Sequence, residues 1–276
     1  MSGCSSAFAA SPHPGDIIVG DSVRSKVYWL EPDTGDKHVL SKDRRFNEPN
    51  DSAFSPNGKK LYVSDYGAFG DDGGVFQLNP KTGRTRVLSK DDDFIQPDGI
   101  DVGPDGTVWV TDLSTGSNGA LLRVDPSNGD AEIVGTGDGL VDALGVVVPP
   151  SGKPFVSSLA APSIVKVNPG NGDQTPIADA GDGLIGSGGL ARGSDGTLYV
   201  ADDDNSILQS VDPQTADVDE VATEFGYGGY GLAIDRRDRI IAGDFGHVNR
   251  ANPRTGDVDE IGNGFGYAEG VEVVPR

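Results

Sequence analysis

The sequence predicts a six-bladed β-propeller, an all-β ring in which each blade is a sheet of four antiparallel strands. Three observations predict it: a hairpin turn that recurs six times, a second hairpin motif upstream of that turn, and chain ends that complete each other. The 276 residues suffice for one large all-β domain with a sizeable core. A repeat of roughly 45 residues with four strands in each unit is typical of propeller blades.

The first observation is a turn that in most copies reads Pro-x-Thr/Asn-Gly-Asp. Proline fixes φ near the start of such a turn, and glycine accepts the left-handed conformation that follows. The six prolines, 40 to 48 residues apart, are Pro32, Pro80, Pro126, Pro169, Pro213 and Pro253. Ala216 stands where the other five copies have glycine, so we expect slight strain there.

Upstream of each such turn lies a second hairpin that leads into a buried strand. The clearest copies are residues 104–112 and 194–202, in which Asp-Gly closes the hairpin and an apolar run follows. Another apolar strand precedes the hairpin, as at residues 99–103 and 231–235. Each repeat therefore holds four strands, A to D, with one hairpin joining A to B and the proline-containing turn joining C to D.

The ends of the chain set the number of blades. Residues 15–40 supply strands B, C and D with no strand A before them, and residues 268–274 supply a strand A with nothing after it. Together they complete one blade, so six blades close as a ring when the C-terminal strand joins the N-terminal blade. An open β-solenoid, the alternative, would not need complementary ends. We expect residues 1–14 to be a flexible lead-in and residues 15–276 to form a single propeller domain.

Composition narrows the classes of partner. The net charge of −21 argues against nucleic acid and anionic membranes. Cys4 is the single cysteine, so no disulfide forms within the chain and core packing must hold the fold. Most of the acidic residues are aspartates. The simplest interpretation is that their side chains cap the backbone at turns and strand ends. The other two interpretations are a salt-adapted surface and a site for a divalent cation. We expect a monomer that acts on a small molecule, without nucleic acid or membrane.

A functional site is expected where strands A begin and strands B end, at one end of the central channel, here called the mouth. In ring order, the residues at the starts of strands A are Glu269, Asn50, Asp98, Leu144, Gly188 and Tyr230. The following residue is glycine in five blades and Asp51 in blade 2. Oxygen-bearing side chains occupy three successive blades, and they suit a hard cation such as Ca²⁺ or Mg²⁺. The alternative is a solvated acidic funnel.

The ends of strands B repeat aspartate in five blades out of six. They are Asp21, Asp65, Asp112, Ser158, Asp202 and Asp244. A residue repeated in nearly every blade more often bonds loop amides than performs chemistry. His247 lies near the same mouth and is either a general base or simply exposed. Two Phe-Gly-Tyr connections, beginning at Phe225 and Phe265, either wall a pocket or reflect plain repeat inheritance.

Three parts of the chain resemble the SMP-30/gluconolactonase family of NHL-type propellers. Arg-Phe-Asn-Glu-Pro-Asn-Asp at 45–51, followed by Leu-Tyr-Val-Ser-Asp-Tyr-Gly at 61–67, resembles a strand and loop of that family. Gln-Pro-Asp-Gly-Ile-Asp-Val at 96–102 resembles its Pro-Asp-Gly-Ile segment, and Ala-Glu-Gly at 268–270 resembles its Glu-Gly-Pro strand. The likeness in architecture covers nearly the whole chain, whereas the specific motifs cover these segments. Generic NHL-type propellers share much of the remaining pattern.

The resemblance implies a lactone hydrolase with one divalent cation at the mouth, Ca²⁺ first and Mg²⁺, Mn²⁺ or Zn²⁺ as alternatives. It implies Glu269 and Asp98 as cation ligands, with Asp98 also the base that activates water. Asn50 matches the family's substrate-contacting asparagine better than its metal asparagine, which comes from a Pro-Asn-Gly strand that this sequence lacks. Either Asn50 has taken the metal role or the site is incomplete. The expected substrate contacts are Asp51, Asp65, Asp112, Tyr230 and His247.

Two other functions stay open at this point. One is a non-catalytic NHL-like propeller that binds a protein or a small ligand. The other is a propeller lyase or cyclase that acts through a carboxylate at the mouth. Dependence on a divalent cation separates the lactonase hypothesis from the binding propeller.

Overall fold

A computed structural model, described over residues 11–115, 119–160, 162–202, 205–226 and 231–276, contains six antiparallel sheets of four strands each. Blade 1 comprises β24 (Ala268–Val273), β1 (Ile17–Asp21), β2 (Lys26–Leu30) and β3 (Lys37–Ser41). Blade 2 comprises β4 (Pro49–Phe54), β5 (Leu61–Asp65), β6 (Gly74–Leu78) and β7 (Thr85–Ser89). Blade 3 comprises β8 (Pro97–Val102), β9 (Val108–Asp112), β10 (Ala120–Val124) and β11 (Ala131–Thr136).

The remaining three blades follow the same order along the chain. Blade 4 comprises β12 (Ala143–Val147), β13 (Phe155–Ser158), β14 (Ser163–Val167) and β15 (Gln174–Asp179). Blade 5 comprises β16 (Leu190–Arg192), β17 (Leu198–Asp202), β18 (Ile207–Val211) and β19 (Val218–Thr223). Blade 6 comprises β20 (Leu232–Ile234), β21 (Ile240–Gly243), β22 (His247–Ala251) and β23 (Val258–Asn263).

The first strands of the blades form a closed ring around the channel. They contact one another in the order β24, β4, β8, β12, β16, β20 and back to β24. The C-terminal strand β24 pairs antiparallel with β1, with Val271 opposite Val19, and both side chains are fully buried. The predicted six-bladed propeller and its closure by the C-terminal strand are confirmed.

Hydrophobic packing between blades supplies the core. Six clusters of buried side chains each lie between two neighbouring blades, so every blade is packed on both faces. This explains why strands such as β1 (Ile-Ile-Val-Gly-Asp) and β5 (Leu-Tyr-Val-Ser-Asp) are buried along their whole length instead of alternating. A blade on its own would leave both of these apolar faces in water.

Short helical segments and loops make up the rest. The helical segments are Ala68–Asp71, Asp138–Leu140 and Ala180–Asp182. Within the described ranges, no helix has the length and apolar character needed to cross a membrane. Cys4 lies outside the described residues.

The C–D turns have the conformation that their sequence predicts. The fifth residue of each turn lies in the left-handed region, with φ of +77° at Gly35, +85° at Gly129 and +65° at Ala216. A side chain at such an angle costs about 1–2 kcal/mol that glycine avoids. We therefore expect Ala216→Gly to raise stability by about 1 kcal/mol, or the melting temperature by about 2–4 °C. Thermal unfolding followed by circular dichroism checks this, with Gly256→Ala expected to shift the midpoint in the opposite direction.

Candidate functional site

Three candidate ligands lie at the same level of the channel mouth. Asn50, Asp98 and Glu269 are each the second residue of their strand, on β4, β8 and β24, which belong to three consecutive blades. All three are buried, with 6%, 4% and 9% of their surface exposed. Asn50 Nδ2 donates a hydrogen bond of 3.0 Å to Asp98 Oδ2. The structure thus brings together the two predicted carboxylates and the predicted amide.

Asp98 is the least satisfied of the three. Its Oδ1 atom is buried and has no hydrogen-bond partner among the described residues. Burial raises the pKa of Asp98 to about 7; the Asn50 hydrogen bond opposes this rise, and the charge of Asp112 adds to it. A buried carboxylate oxygen without a donor is costly when it is ionised, so this atom is suited to a positively charged ligand.

Glu269 shares this electrostatic environment. Burial raises its pKa to about 8, and the negative charge of Asp98 raises it further. The opposing contribution comes from Ser22, whose Oγ donates a hydrogen bond of 3.0 Å to Glu269 Oε1. Both carboxyl groups therefore resist ionisation when no cation balances their charge.

In blades 3 to 5 the backbone at the start of strand A, including that of Asp98, is held by a hydroxyl group of the preceding blade. Ser64 Oγ donates to the main-chain oxygen of Asp98, and Thr111 Oγ1 donates in the same way to Leu144. Ser157 Oγ completes the series with a 2.6 Å bond to the oxygen of Gly188. These hydrogen bonds between blades were not predicted from the sequence. The feature that could have predicted them is the Ser or Thr that stands one residue before the end of strand B in blades 2 to 4.

Asp51 follows Asn50 on β4, and its carboxyl group contacts two other blades. Its Oδ2 accepts a hydrogen bond of 3.3 Å from the amide of Ile100 in blade 3. Its Oδ1 lies against Gly231 in blade 6, on the opposite side of the ring, where an added Cβ would be 2.9 Å away. Burial, with the charges of Asp98 and Asp101, holds the pKa of Asp51 well above its usual range. Asp51 also lines the cavity that lies farther along the channel, so it stands between that cavity and the three ligands.

At the level of Asp51, the other blades have glycine, which allows the first strands to approach one another closely. A Cβ on Gly270 would lie 2.3 Å from the oxygen of Asn50, and one on Gly99 would lie 2.2 Å from the oxygen of Leu144. The first strands can approach this closely only without side chains at these positions. The mouth is therefore separated from a cavity of about 280 Å³ that strands from all six blades line farther along the channel.

Two more acidic side chains, Asp101 and Glu272, line that farther cavity. Asp101 Oδ2 accepts a 2.6 Å hydrogen bond from the amide of Val148 in the next blade. Burial raises the pKa of Asp101 to about 6, and burial with the charges of Asp101 and Asp51 holds that of Glu272 well above its usual range. These carboxyl groups join neighbouring blades along the channel.

The aspartates at the ends of strands B hold loop amides, as their repetition indicated. Asp65 accepts hydrogen bonds from the amides of Asn47 and Glu48, each 3.0 Å long. Asp112 accepts four, from the amides of residues 95, 96, 114 and 115. Both side chains are fully buried, so they shape the loops around the mouth and present no free oxygen to a substrate.

Tyr66 lies beside the mouth and was not among the predicted site residues. Burial raises its pKa, and the charges of Asp98, Glu48 and Asp112 raise it further, which places the phenol near these carboxyl groups. Its hydroxyl accepts a hydrogen bond from the Gln96 side chain. The sequence feature that could have predicted Tyr66 as a site residue is the Tyr-Gly pair after β5, which is part of the motif at residues 61–67.

The remaining predicted residues lie elsewhere or outside the described residues. His247 is exposed, and its Nδ1 is 2.8 Å from Glu260 Oε2 on the outer strand β23. Phe225 and Phe265, the first residues of the two Phe-Gly-Tyr connections, are buried between blades, and Tyr227 of the first connection lies outside the described residues. Leu144 is buried at the expected level of the ring. Tyr230 lies outside the described residues.

Comparisons with known proteins support the fold. No protein family matches the sequence, and no curated protein matches it either. The chain is similar to one in the crystal structure of a nidogen/laminin complex, with a TM-score of 0.79 and 14% identity over 94% of this chain and 98% of that one. It is also similar to TolB from Acinetobacter baumannii, with a TM-score of 0.69 and 15% identity over 96% of this chain and 68% of that one. At such identities the likeness shows a six-bladed propeller and carries no activity over.

Proposed function

We propose that this propeller is a divalent-cation-dependent hydrolase of lactones, with Asn50, Asp98 and Glu269 as the cation ligands. The observation that carries the proposal is the unpartnered, buried Oδ1 of Asp98 beside a second carboxyl group whose ionisation is also disfavoured. All three residues belong to the motifs that resemble the SMP-30/gluconolactonase family, which supports the proposal. None of the three is repeated in all blades, as a purely structural residue would be.

The donor atoms fit a hard cation. Oxygen ligands from carboxylates and an amide are the set that Ca²⁺ and Mg²⁺ prefer, with water completing the coordination. Within the described part of the chain, no three His, Cys, Asp or Glu side chains converge as a ligand group. The proposed third protein ligand is Asn50 Oδ1, because Asn50 Nδ2 donates to Asp98 and an amide binds a cation through its oxygen. This favours Ca²⁺ over Zn²⁺.

Each residue at the mouth has a different role in the proposed hydrolysis. A bound divalent cation would polarise the lactone carbonyl and lower the pKa of a water molecule. Asp98 would accept the proton of the attacking water as general base. Asn50 holds the Asp98 carboxylate in place through Nδ2, and Ser22 orients Glu269. Tyr66 lies where its hydroxyl can contact the substrate.

Hydrolysis assays with a panel of aldonolactones test the proposal. The protein is first treated with EDTA and then supplied with Ca²⁺, Mg²⁺, Mn²⁺ or Zn²⁺. We expect ring opening only after a cation is added, with Ca²⁺ the most effective. A cation that raises the melting temperature without hydrolysis of any lactone would favour the binding propeller. Elimination or cyclisation products in place of the hydroxy acid would favour the lyase or cyclase.

The pH dependence of stability supplies a test that needs no substrate. The pKa values of about 7 for Asp98 and 8 for Glu269 lie above the usual values near 4, so the folded protein binds protons more tightly than the unfolded chain. The stability this confers is complete below about pH 4 and is lost as the pH rises through 7 and 8. We expect the melting temperature in EDTA to fall over this range. Because Ca²⁺ competes with these protons, its stabilising effect should grow with pH.

A Ca²⁺-induced shift that is equal at pH 6 and pH 8.5 would contradict this expectation. The control is Glu269→Gln, which removes one titrating carboxyl group and keeps the shape of the side chain. It should reduce both the slope in EDTA and the response to Ca²⁺.

A further inference from the structure

A second cavity lies on the face opposite the mouth, where blade 6 meets blade 1. It encloses about 490 Å³. Blade 6 contributes the turn between β20 and β21 and the side chain of Arg250 from β22. Blade 1 contributes residues 14–17, residues 32–33 and residues 273–276. Because strands A end and strands B begin here, this cavity is separate from the proposed hydrolase site.

Positive charge is concentrated around this cavity. Its lining includes the arginines Arg236, Arg237, Arg239, Arg250 and Arg276. These are five of the thirteen arginines in a chain whose net charge is −21. Three aspartates, Asp16, Asp33 and Asp235, also line it. Cationic groups therefore outnumber anionic ones here, against the balance of the whole molecule.

Some of these charges are already paired within the wall. Arg239 donates to Asp235 Oδ2 through Nε at 2.8 Å, and its Nη2 is 2.5 Å from the same oxygen. Asp235 Oδ1 accepts the main-chain amides of Arg237 and Arg239, which fixes the hairpin. Asp16 accepts the amide of His13. These contacts do not involve the side chains of the other four arginines, Arg236, Arg237, Arg250 and Arg276.

Arg250 has a guanidinium group with unmet hydrogen-bonding capacity. Its side chain is only 14% exposed, and Nε is buried with no acceptor among the described residues. Its nearest ion-pair partner is Asp259 Oδ2, at 3.6 Å from Nη2, which is too long for a hydrogen bond. A buried donor on a charged group is costly to leave unpaired, so the position favours an anion supplied from outside.

An equivalent arginine–carboxylate pair in blade 3 forms the hydrogen bonds that Arg250 lacks. Arg123 faces Glu132 across β10 and β11 in the same register in which Arg250 faces Asp259 across β22 and β23. Arg123 donates to Glu132 Oε2 through both Nε and Nη2, at 3.0 and 2.7 Å. Aspartate is one methylene shorter than glutamate, so Asp259 does not reach the guanidinium. Blade 6 therefore leaves unpaired a donor whose equivalent in blade 3 is paired within the blade.

The turn beside Arg250 also departs from the repeat. Blades 3 and 5 have Asp-Gly in this hairpin, whereas blade 6 has Arg236-Arg237-Asp238. Asp238 takes the left-handed conformation, with φ of +57°, that glycine supplies elsewhere. Two exposed arginines on a rigid turn are thus added at the rim of this one cavity.

We propose that this cavity binds a small organic anion that carries phosphate or carboxylate groups, with Arg250 as the buried anchor. A planar guanidinium group recognises both kinds of oxyanion through paired N–H donors. Arg236 and Arg237 supply further positive charge at the rim. The volume exceeds that of a single ion, which favours a molecule over a bare anion. Binding here does not require the cation site at the mouth.

The test is thermal unfolding with inorganic phosphate or tricarballylate as the probe, at constant ionic strength set with chloride. We expect a saturable rise in melting temperature, from which the Kd is obtained. Arg250→Ala should weaken binding at least about tenfold. The control is Arg254→Ala, which removes one exposed positive charge from the same blade outside the cavity and should leave the Kd within about twofold.

Asp259→Glu sharpens the test because it keeps both the net charge and Arg250. The longer side chain should reach Arg250 as Glu132 reaches Arg123, and so compete with the probe and weaken its binding. A response to phosphate alone would identify a phosphorylated ligand, and one to tricarballylate alone a polycarboxylate; either supports the site. No response of the unaltered protein to either probe would overturn the proposal. So would equal losses in Arg250→Ala and Arg254→Ala.

Discussion

Asp98→Asn is expected to stabilise the protein in EDTA at pH 8 and to abolish its response to divalent cations. The pKa of Asp98 is raised to about 7 by burial, so at pH 8 the ionised carboxylate opposes folding. Asparagine has the same shape without the charge, and its oxygen can still accept the hydrogen bond from Asn50. We expect a gain of about 1–3 kcal/mol in EDTA. Differential scanning calorimetry with and without Ca²⁺ measures both effects.

The same substitution should remove lactone hydrolysis. Asp98 is proposed to be both a cation ligand and the general base, and loss of a general base alone costs about 10²–10⁴ in rate. Asp101→Asn is the matched control, because Asp101 is also an aspartate of β8 with a raised pKa but is half-buried, lines the farther cavity and bonds Val148. It should change stability but keep both the Ca²⁺ shift and the activity. An Asp98→Asn variant that still responds to Ca²⁺ would contradict the assigned ligand set.

Deletion of residues 268–276 should prevent the ring from closing. This deletion removes β24, so β1 loses its inner partner and the buried side chains of Ala268 and Val271 leave the core between blades 6 and 1. The loss approaches the whole stability of a typical domain, about 5–15 kcal/mol. We expect no cooperative unfolding transition at neutral pH, as measured by circular dichroism and size-exclusion chromatography.

Glu269→Gln separates the two roles of that strand. It removes the proposed ligand charge while keeping β24 and its pairing with β1. This variant should unfold cooperatively and elute as the unaltered protein does, yet lose most of its response to Ca²⁺. A truncated chain that folds with an unchanged midpoint would mean that the closing strand contributes little to the ring.

The six-bladed ring could be predicted from the sequence. The repeated turns define the strand order, and the complementary strands at the two chain ends predict the closure. The level of Asn50, Asp98 and Glu269 was also predictable, since a common register places equivalent residues at one height. In blade 5 the expected start at Gly188 lies before β16, because the amides of Gly188 and Ala201 bond across a Gly-Gly pair instead of continuing the regular ladder. Such a local irregularity does not follow from a register count.

Side-chain partners across blades were not predictable from the repeat. Asp51 has the same sequence context as the glycines of other blades, yet its carboxyl group contacts both blade 3 and blade 6. The Phe-Gly-Tyr connections suggested a pocket wall, but Phe225 and Phe265 pack between blades. Likewise, the unmet donor of Arg250 depends on a single methylene group in its neighbour. Contacts of this kind depend on the packing between blades, which the repeat alone does not specify.

The most direct test of the proposed site is a crystal structure of the protein grown with Ca²⁺, with anomalous data collected at long wavelength. We predict one anomalous peak at the mouth, above the carboxyl group of Asp51, with oxygen atoms of Asn50, Asp98 and Glu269 at about 2.3–2.6 Å. A map from crystals of the active protein with no peak at the mouth, or a peak bound by other residues, would contradict the proposed cation site.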